Sequence, residues 1–218
     1  GLAISQPFMG FLSDKLGRKP VMISGIILFI IASYICMTAE TLSTLIVARF
    51  LQGVGGSVGT VTSRAIIRDS YSGDQAAKSL SRVTATMGIA PMIAPVIGAI
   101  ALSILGSPNG IFLITLLIGI LILFPVLFFL PETVIKGDQE KTETAWYKNY
   151  FKLLRSETFV GSTFIYGFTT GSFFAILAVG STVFSKDLGI DSTGFGLVWS
   201  SLTILYASAS FFAGNLTD

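Results

Sequence analysis

One arginine lies inside a long apolar stretch of the sequence, at Arg49. Counted along a helix from Glu40, the charged residue nearest before it, Arg49 lies roughly 13 Å inside that stretch. An arginine near the centre of a membrane helix costs at least ~2.5 kcal/mol by insertion scales, so it must face a cavity or a polar partner. Snorkelling to the membrane surface is the competing interpretation.

A second group of polar residues forms a short basic loop between two apolar stretches, from Gly10 to Pro20. Gly10 permits a close approach of helix ends, Gly17 can adopt a backbone conformation closed to other residues, and Pro20 suits the first turn of a helix. The charged side chains that could latch onto a neighbouring helix end are Asp14, Arg18 and Lys19. A tight turn with no further role is the alternative.

Two prolines lie in another apolar stretch, at Pro91 and Pro95. Each proline removes a backbone N–H donor and leaves a carbonyl without its helical partner, so the pair predicts a kinked helix. Small residues beside the prolines, among them Gly98, would let a second helix pack against the bend. A kinked membrane helix without a special function is the alternative.

The composition argues against most soluble and enzymatic functions. Hydrophobic residues make up 52% of the chain and charged residues 12%, whereas soluble domains carry about 25% charged residues. Lipid must therefore form part of the solvent. Histidine is absent, which removes the commonest general base and metal ligand. We expect no enzyme, no cofactor and no nucleic-acid partner, and the sequence shows neither the charge rings nor the carbonyl filter of a channel.

The elements that must position these residues are apolar helices. Seven apolar segments are bounded by charges or by Gly and Pro, at 1–12, 21–39, 41–67, 83–105, 111–130, 158–185 and 192–213. At about 1.5 Å per residue, all but the first can span a bilayer. The sequence therefore predicts an all-α polytopic membrane protein. Because segment 1–12 is too short to cross, we expect this chain to be part of a longer one.

Basic residues mark one side of the membrane. Twelve of the 14 lysines and arginines fall in the loops around residues 13–20, 64–82 and 131–157, while Lys186 lies on the other side and Arg49 within a span. By the positive-inside rule these three loops are cytoplasmic. A short repeat lies on the same side, since Gly10-Phe-Leu-Ser-Asp14 recurs as Gly214-Asn-Leu-Thr-Asp218. Such repeats are expected in transporters built from two related halves.

The Gly10–Pro20 loop resembles the signature G-x-L-x-D-x-x-G-R-[KR] of the major facilitator superfamily. The matching residues are Gly10, Leu12, Asp14, Gly17, Arg18 and Lys19. The resemblance implies the major facilitator fold, with the seven segments as transmembrane helices two to eight of twelve. It also implies an N-terminal half at 1–130 lacking its first helix, a cytoplasmic inter-half loop at 131–157 and the start of the C-terminal half at 158–218. In that family the signature acts as a conformational latch.

Two further patterns are similar to motifs of drug:proton antiporters. Arg49, Gln52 and Gly53 fit the fourth-helix pattern R-x-x-Q-G-x-G, which implies a role in proton or substrate coupling. The doubled A-P-x-x-A-P-x-x-G around Pro91, Pro95 and Gly98 resembles the fifth-helix antiporter motif in the form of the Bcr/CflA branch. Alanines replace some of that motif's usual glycines.

The resemblance implies a secondary active transporter of a bacterial inner membrane. Its expected activity is proton-coupled efflux of drug-like or small amphipathic solutes by alternating access. Its expected partners are the lipid bilayer, the solute and protons, with the proton gradient as energy source and no cofactor. A metabolite uptake carrier of the same superfamily is the alternative. We also expect an acidic partner for Arg49 on a helix preceding Gly1.

Overall fold

The computed structural model describes residues 1–106, 109–134, 153–190, 194–202 and 204–205, and these ranges contain helices and no strand. The helices are α1 Leu2–Leu16, α2 Arg18–Met37, α3 Leu42–Ser70, α4 Gly73–Leu105, α5 Asn109–Phe129 and α6 Glu157–Asp187. Residues 194–202 are helical as well. The predicted all-α architecture is confirmed.

Four helices of the described chain are long and apolar enough to cross a membrane, at Arg18–Met37, Leu42–Ser70, Asn109–Phe129 and Glu157–Phe184. Their lengths of 20 to 29 residues meet the requirement of about 20 residues for a bilayer core. Large apolar side chains such as Leu121 and Phe129 are exposed on them, as expected where lipid is the solvent.

Local signals define several helix ends. Thr41 caps α3, because its Oγ1 accepts a hydrogen bond from the Thr44 N–H at 3.1 Å, and Gly106 ends α4 in the left-handed conformation at φ 61°. The helix α4 begins at Gly73, well before the apolar segment predicted from Val83. Hydropathy marks only the apolar part of a helix, whereas the backbone hydrogen bonds of α4 continue into its polar first turns.

Contacts divide the chain into two compact units, one of Gly1–Thr84 and Ile100–Glu140, the other of Ala85–Ala99 and Lys141–Asp218. In the first unit, α2 is central and packs against α1, α3 and α5. Its core consists of Val21, Met22 and Val58, with Met9, Leu12, Ile26, Ile66, Val126 and Leu130 packed around them. The division into halves at 1–130 and 158–218 stays a prediction.

The helices α2 and α3 cross at backbone contact distance. A Cβ added to Gly55 would lie 2.6 Å from the carbonyl oxygen of Gly25 and 2.6 Å from the backbone nitrogen of Phe29. Gly53 faces α1 in a similar way, since its Cβ would lie 3.2 Å from the Leu2 nitrogen. At Gly10, in contrast, the nearest atom is Val61 Cγ1 at an ordinary 3.5 Å, so close helix approach is not what requires a glycine there.

The proline pair lies within the continuous helix α4. The side chains of Pro91 and Pro95 are outside the described ones, so the kink stays a prediction. Among the described residues, a Cβ added to Gly98 would meet no heavy atom within 4 Å, so the predicted packing of a second helix at the bend stays a prediction. The repeat copy at 214–218 and most of the loop at 131–157 lie outside the described residues.

The α2–α3 crossing generates a stability prediction. We expect Gly55→Ala to lower the free energy of unfolding by about 1–3 kcal/mol, because the added methyl would meet backbone atoms that cannot move aside. Gly59 lies on the same helix, and a Cβ there would meet nothing within 4 Å. Gly59→Ala should therefore leave the melting temperature unchanged or raise it slightly. Thermal unfolding in detergent measures both, and equal melting temperatures would contradict the close crossing.

Candidate functional site

Arg18 joins three parts of the chain at the start of α2. Its Nε donates to Asp69 Oδ2 at the end of α3 at 2.9 Å. Its Nη1 donates to Ser13 Oγ at 2.8 Å and to Asp14 Oδ1, both in the last turns of α1. Arg18 is only 8% exposed, while the side chains of Asp14 and Asp69 are 49% and 27% exposed, so the guanidinium is the desolvated partner and depends on these acceptors. We refer to Ser13, Asp14, Arg18, Asp69 and Glu132 as the Arg18 cluster.

Glu132 completes this cluster from the segment that follows α5. Its carboxylate accepts the backbone N–H of Arg18 at 2.8 Å and that of Lys19 at 3.2 Å, the first two residues of α2. It also accepts the N–H groups of Thr133 and Val134, at 3.0 and 3.1 Å. A carboxylate at a helix N-terminus satisfies donors that have no partner within the helix and complements the helix dipole. Glu132 therefore ties the end of α5 to the start of α2.

Gly17 makes this cap possible. Its backbone has φ 104°, a conformation that other residues rarely adopt, as the sequence predicted. A Cβ at this position would also lie 2.5 Å from Glu132 Oε2. Both the conformation and the space at residue 17 thus require glycine.

The same hydrogen bonds set the acidity of Glu132. Partial burial alone would raise the pKa of its carboxyl group, but the backbone N–H groups of Val134, Arg18, Lys19 and Thr133 outweigh burial and hold the pKa below its ordinary value of 4.5. The carboxylate is therefore ionised at neutral pH. Ionisation is what the cap needs, because only the carboxylate offers acceptors to every one of these donors.

The structure brings most of the predicted latch residues together. Asp14, Gly17 and Arg18 lie in one cluster with the backbone N–H of Lys19, while Gly10 contacts α3 at Val61. Asp69 and Glu132 were not among the predicted site residues. Both are far from Arg18 in sequence, by 51 and 114 residues, so the pattern from Gly10 to Pro20 gave no signal for them. The role of the cluster as a conformational latch stays a prediction.

Arg49 belongs to a second polar group, which lies among α2, α3 and α5. Its Nη1 donates to Gln52 Oε1 at 2.7 Å. Gln52 Nε2 donates in turn to Ser33 Oγ at 2.7 Å and reaches Thr115 Oγ1 at 3.5 Å. Gln52 is 4% exposed and Ser33 0% exposed. We call Arg49, Gln52, Ser33 and Thr115 the Arg49 chain.

Arg49 itself is exposed in the part of the chain that the structure describes, and its hydrogen bond reaches the buried amide of Gln52. The bond to Gln52 runs one turn further from the start of α3, the opposite direction from snorkelling. The guanidinium carbon also lies 5.8 Å from the centre of the Phe112 ring, within the range of a cation–π interaction. In the part of the chain that the structure describes, Arg18 forms ion pairs with Asp14 and Asp69, whereas Arg49 forms none. Neutral groups therefore hold this arginine.

The arrangement favours binding over covalent chemistry. Among the described residues, no group of three or more His, Cys, Asp or Glu side chains is placed to hold a metal ion. The guanidinium of Arg49 uses one N–H for Gln52 and has further donors that could bind an anionic or polar group. Gly53, the third predicted coupling residue, contributes close packing against α1 and no side-chain hydrogen bond.

The family follows from a comparison with known proteins. The family model described as Major Facilitator Superfamily matches residues 1–218. The chain belongs to the major facilitator superfamily. This family consists of membrane transporters, and the chain is accordingly a multi-pass membrane protein, as its apolar helices indicate.

Individual relatives agree with this assignment. The chain is 32% identical over 99% of its length to the uncharacterized MFS-type transporter YdgK of Bacillus subtilis. It is 29% identical over 95% of its length to the bicyclomycin resistance protein homolog of Haemophilus influenzae, which confirms the resemblance to the Bcr/CflA branch. The chain spans about half the length of these relatives, 54% and 53%. These bacterial relatives agree with a bacterial inner-membrane location.

A solved structure shows the same fold. The crystal structure of the human organic anion transporter MFSD10 superposes with a TM-score of 0.73 over 94% of this chain and 52% of that protein. The sequences are 18% identical, so this likeness supports the fold alone. The predicted major facilitator fold is thereby confirmed.

The cap on α2 generates a pH-dependent prediction. At neutral pH, Glu132→Gln should lower the free energy of unfolding by about 0.5–1 kcal/mol, because a neutral amide caps the helix less well. A carboxyl with a depressed folded-state pKa stabilises the protein above its unfolded-state pKa, near 4.5. That stabilisation disappears as pH falls through the lower folded-state value.

The two proteins should therefore differ in stability at pH 7 and converge once pH falls below the folded-state pKa of Glu132. Chemical unfolding in detergent across this pH range measures the difference. Glu157→Gln, at the start of α6, provides a control carboxylate outside the cluster. A stability difference that is independent of pH would contradict the cap.

Proposed function

We propose that the full-length protein containing this chain exports drug-like small molecules in exchange for protons. Family membership supports a transport function, and the similarity to the bicyclomycin resistance protein homolog supports drugs as its solutes. The observation that carries the proposal is the Arg49 chain, in which an exposed arginine of an apolar helix donates to the buried, neutral amide of Gln52.

A charge kept inside a membrane helix calls for a functional reason. Arginine costs free energy there, and intramembrane charges mark ion, proton or substrate pathways. Arg49 is retained without a carboxylate partner among the described residues, so its positive charge is available to a partner that changes during transport. Either an acidic group that gains and loses a proton or an anionic part of the solute would meet this requirement.

Arg49 would act through its fixed charge. A guanidinium does not release its proton in proteins, so it cannot carry the proton itself. A fixed positive charge lowers the pKa of a nearby acid and thereby favours proton release. Solute binding or helix movement that changes the distance between the two groups would then couple proton release to transport.

The Arg18 cluster supports alternating access by holding helix ends together. It joins the ends of α1 and α3, the start of α2 and the segment after α5 by charge-assisted hydrogen bonds. Helices tied at one end in this manner can rotate together as a body. Such rigid-body rocking about a midplane site is the usual form of alternating access in transporters with related halves.

Replacing Arg49 tests the coupling role. We expect Arg49→Lys in the full-length protein to reduce proton-driven dye efflux at least tenfold, because an ammonium cannot keep the bond to Gln52 and present further donors in the same plane. Efflux from energised cells, with and without a protonophore, measures the change, and drug susceptibility provides a second readout.

Arg64→Lys on the same helix is the matched control, because Arg64 is an exposed residue toward the polar end of α3. That variant should retain wild-type efflux. Equal efflux by the Arg49→Lys and wild-type proteins would contradict a coupling role for Arg49. Wild-type accumulation of the dye along the proton gradient, in place of efflux, would favour the uptake carrier.

A further inference from the structure

The hydrogen bonds of the Arg49 chain have a defined direction. The Ser33 hydroxyl donates to the carbonyl oxygen of Phe29 at 2.7 Å, and the Thr115 hydroxyl donates to that of Phe112 at 2.8 Å. A hydroxyl has a single proton to donate. With that proton used within its own helix, each hydroxyl oxygen offers only lone pairs to Gln52.

This direction determines how the amide of Gln52 is oriented. Its NH₂ end must face the hydroxyl oxygens of Ser33 and Thr115, which leaves its carbonyl oxygen to face Arg49. In the flipped orientation, the NH₂ group would face the guanidinium donors, and the amide oxygen would face oxygen lone pairs. A buried amide pays the full desolvation cost for such unmade bonds.

We propose that Ser33 is a positioning residue that fixes Arg49 through the amide of Gln52, with Thr115 as the second support. This inference rests on the proposed function, because it assigns Ser33 a part in the coupling performed by Arg49. Ser33 lies on α2 and Thr115 on α5, so two neighbouring helices control the acceptor that holds the arginine on α3. Neither residue belongs to the sequence pattern around Arg49.

The hydrogen bonds of the Arg49 chain also exclude a simple proton relay through its residues. Every bond runs from donor to acceptor in one direction, from Arg49 through Gln52 and Ser33, and it ends at the Phe29 carbonyl. An amide and a backbone carbonyl do not exchange protons at neutral pH. Ser33 therefore acts on the position of the Arg49 charge and not on proton transfer itself.

Helix α2 offers a matched control serine. Ser24 is exposed, and its hydroxyl donates to the Val21 carbonyl of the same helix at 2.9 Å. Replacing Ser24 by alanine removes the same atoms and the same type of local bond as replacing Ser33. It does not affect Gln52.

The first measurement is the pH profile of efflux by the full-length protein. We expect Ser33→Ala to reduce proton-driven dye efflux roughly two- to tenfold, the equivalent of one lost net hydrogen bond. Because a loosened Arg49 lowers the pKa of the coupling acid less, the apparent pKa of efflux should also rise, by up to about one unit. Gln52→Leu should shift the profile in the same direction, and Ser24→Ala should leave it unchanged.

The second measurement is thermal unfolding of the purified protein, which does not depend on transport. Ser33→Ala should lower the melting temperature in the wild-type background but have little further effect in Gln52→Leu, because Ser33 acts through that amide. Ser24→Ala should have the same small effect in both backgrounds.

The outcomes separate this inference from the proposed function. Wild-type efflux that is independent of the proton gradient would overturn the proposed function. The thermal unfolding of Ser33→Ala in the two backgrounds would still test the link between Ser33 and Gln52. An undiminished effect of Ser33→Ala in the Gln52→Leu background would overturn this inference. So would an unchanged pH profile of Ser33→Ala beside proton-dependent wild-type efflux.

Discussion

Lipid offers no hydrogen bonds, so each polar group within an apolar span must find its partner in the protein. The two polar groups of the first unit meet this constraint in different ways. The Arg18 cluster pairs opposite charges and caps a helix, whereas the Arg49 chain gives a charge one neutral acceptor, Gln52, and one aromatic ring, Phe112. Thr62 is an exception, since its hydroxyl oxygen is buried without a partner in the described part of the chain.

Backbone packing makes the Arg49 chain possible. The α2–α3 crossing brings the backbone of Gly55 against those of Gly25 and Phe29. Gln52 lies one helical turn from Gly55, and Ser33 lies one turn from Phe29, so the crossing places these two side chains near each other. A larger residue at the crossing would separate the helices and lengthen the 2.7 Å bond between Gln52 and Ser33. The glycines near Arg49 therefore matter for its electrostatics as well as for stability.

Much of the fold was predictable because its signals are local. Hydropathy located the apolar helices, and the turn at Gly17 followed from a glycine between two charged helix ends. The partners of Arg49 were not predictable to the same degree. Serine and threonine are common in apolar helices and usually bond to their own backbone, so nothing local distinguishes Ser33 from Ser24. Glu132 depends likewise on where the end of α5 meets the start of α2, which only the tertiary structure shows.

The two polar groups lie toward opposite ends of one rigid element. Helix α2 has 20 residues, and Ser33 lies roughly 22 Å along it from Arg18. Glu132 and Asp69 hold its first turn to the segment after α5 and to α3, while Ser33 meets Gln52 of α3, which also reaches Thr115 of α5. Sliding of α2 between these neighbours would break bonds at both ends. In the proposed transport cycle, α2, α3 and α5 must therefore move together. The group whose distance from Arg49 changes during the cycle then has to lie outside these three helices.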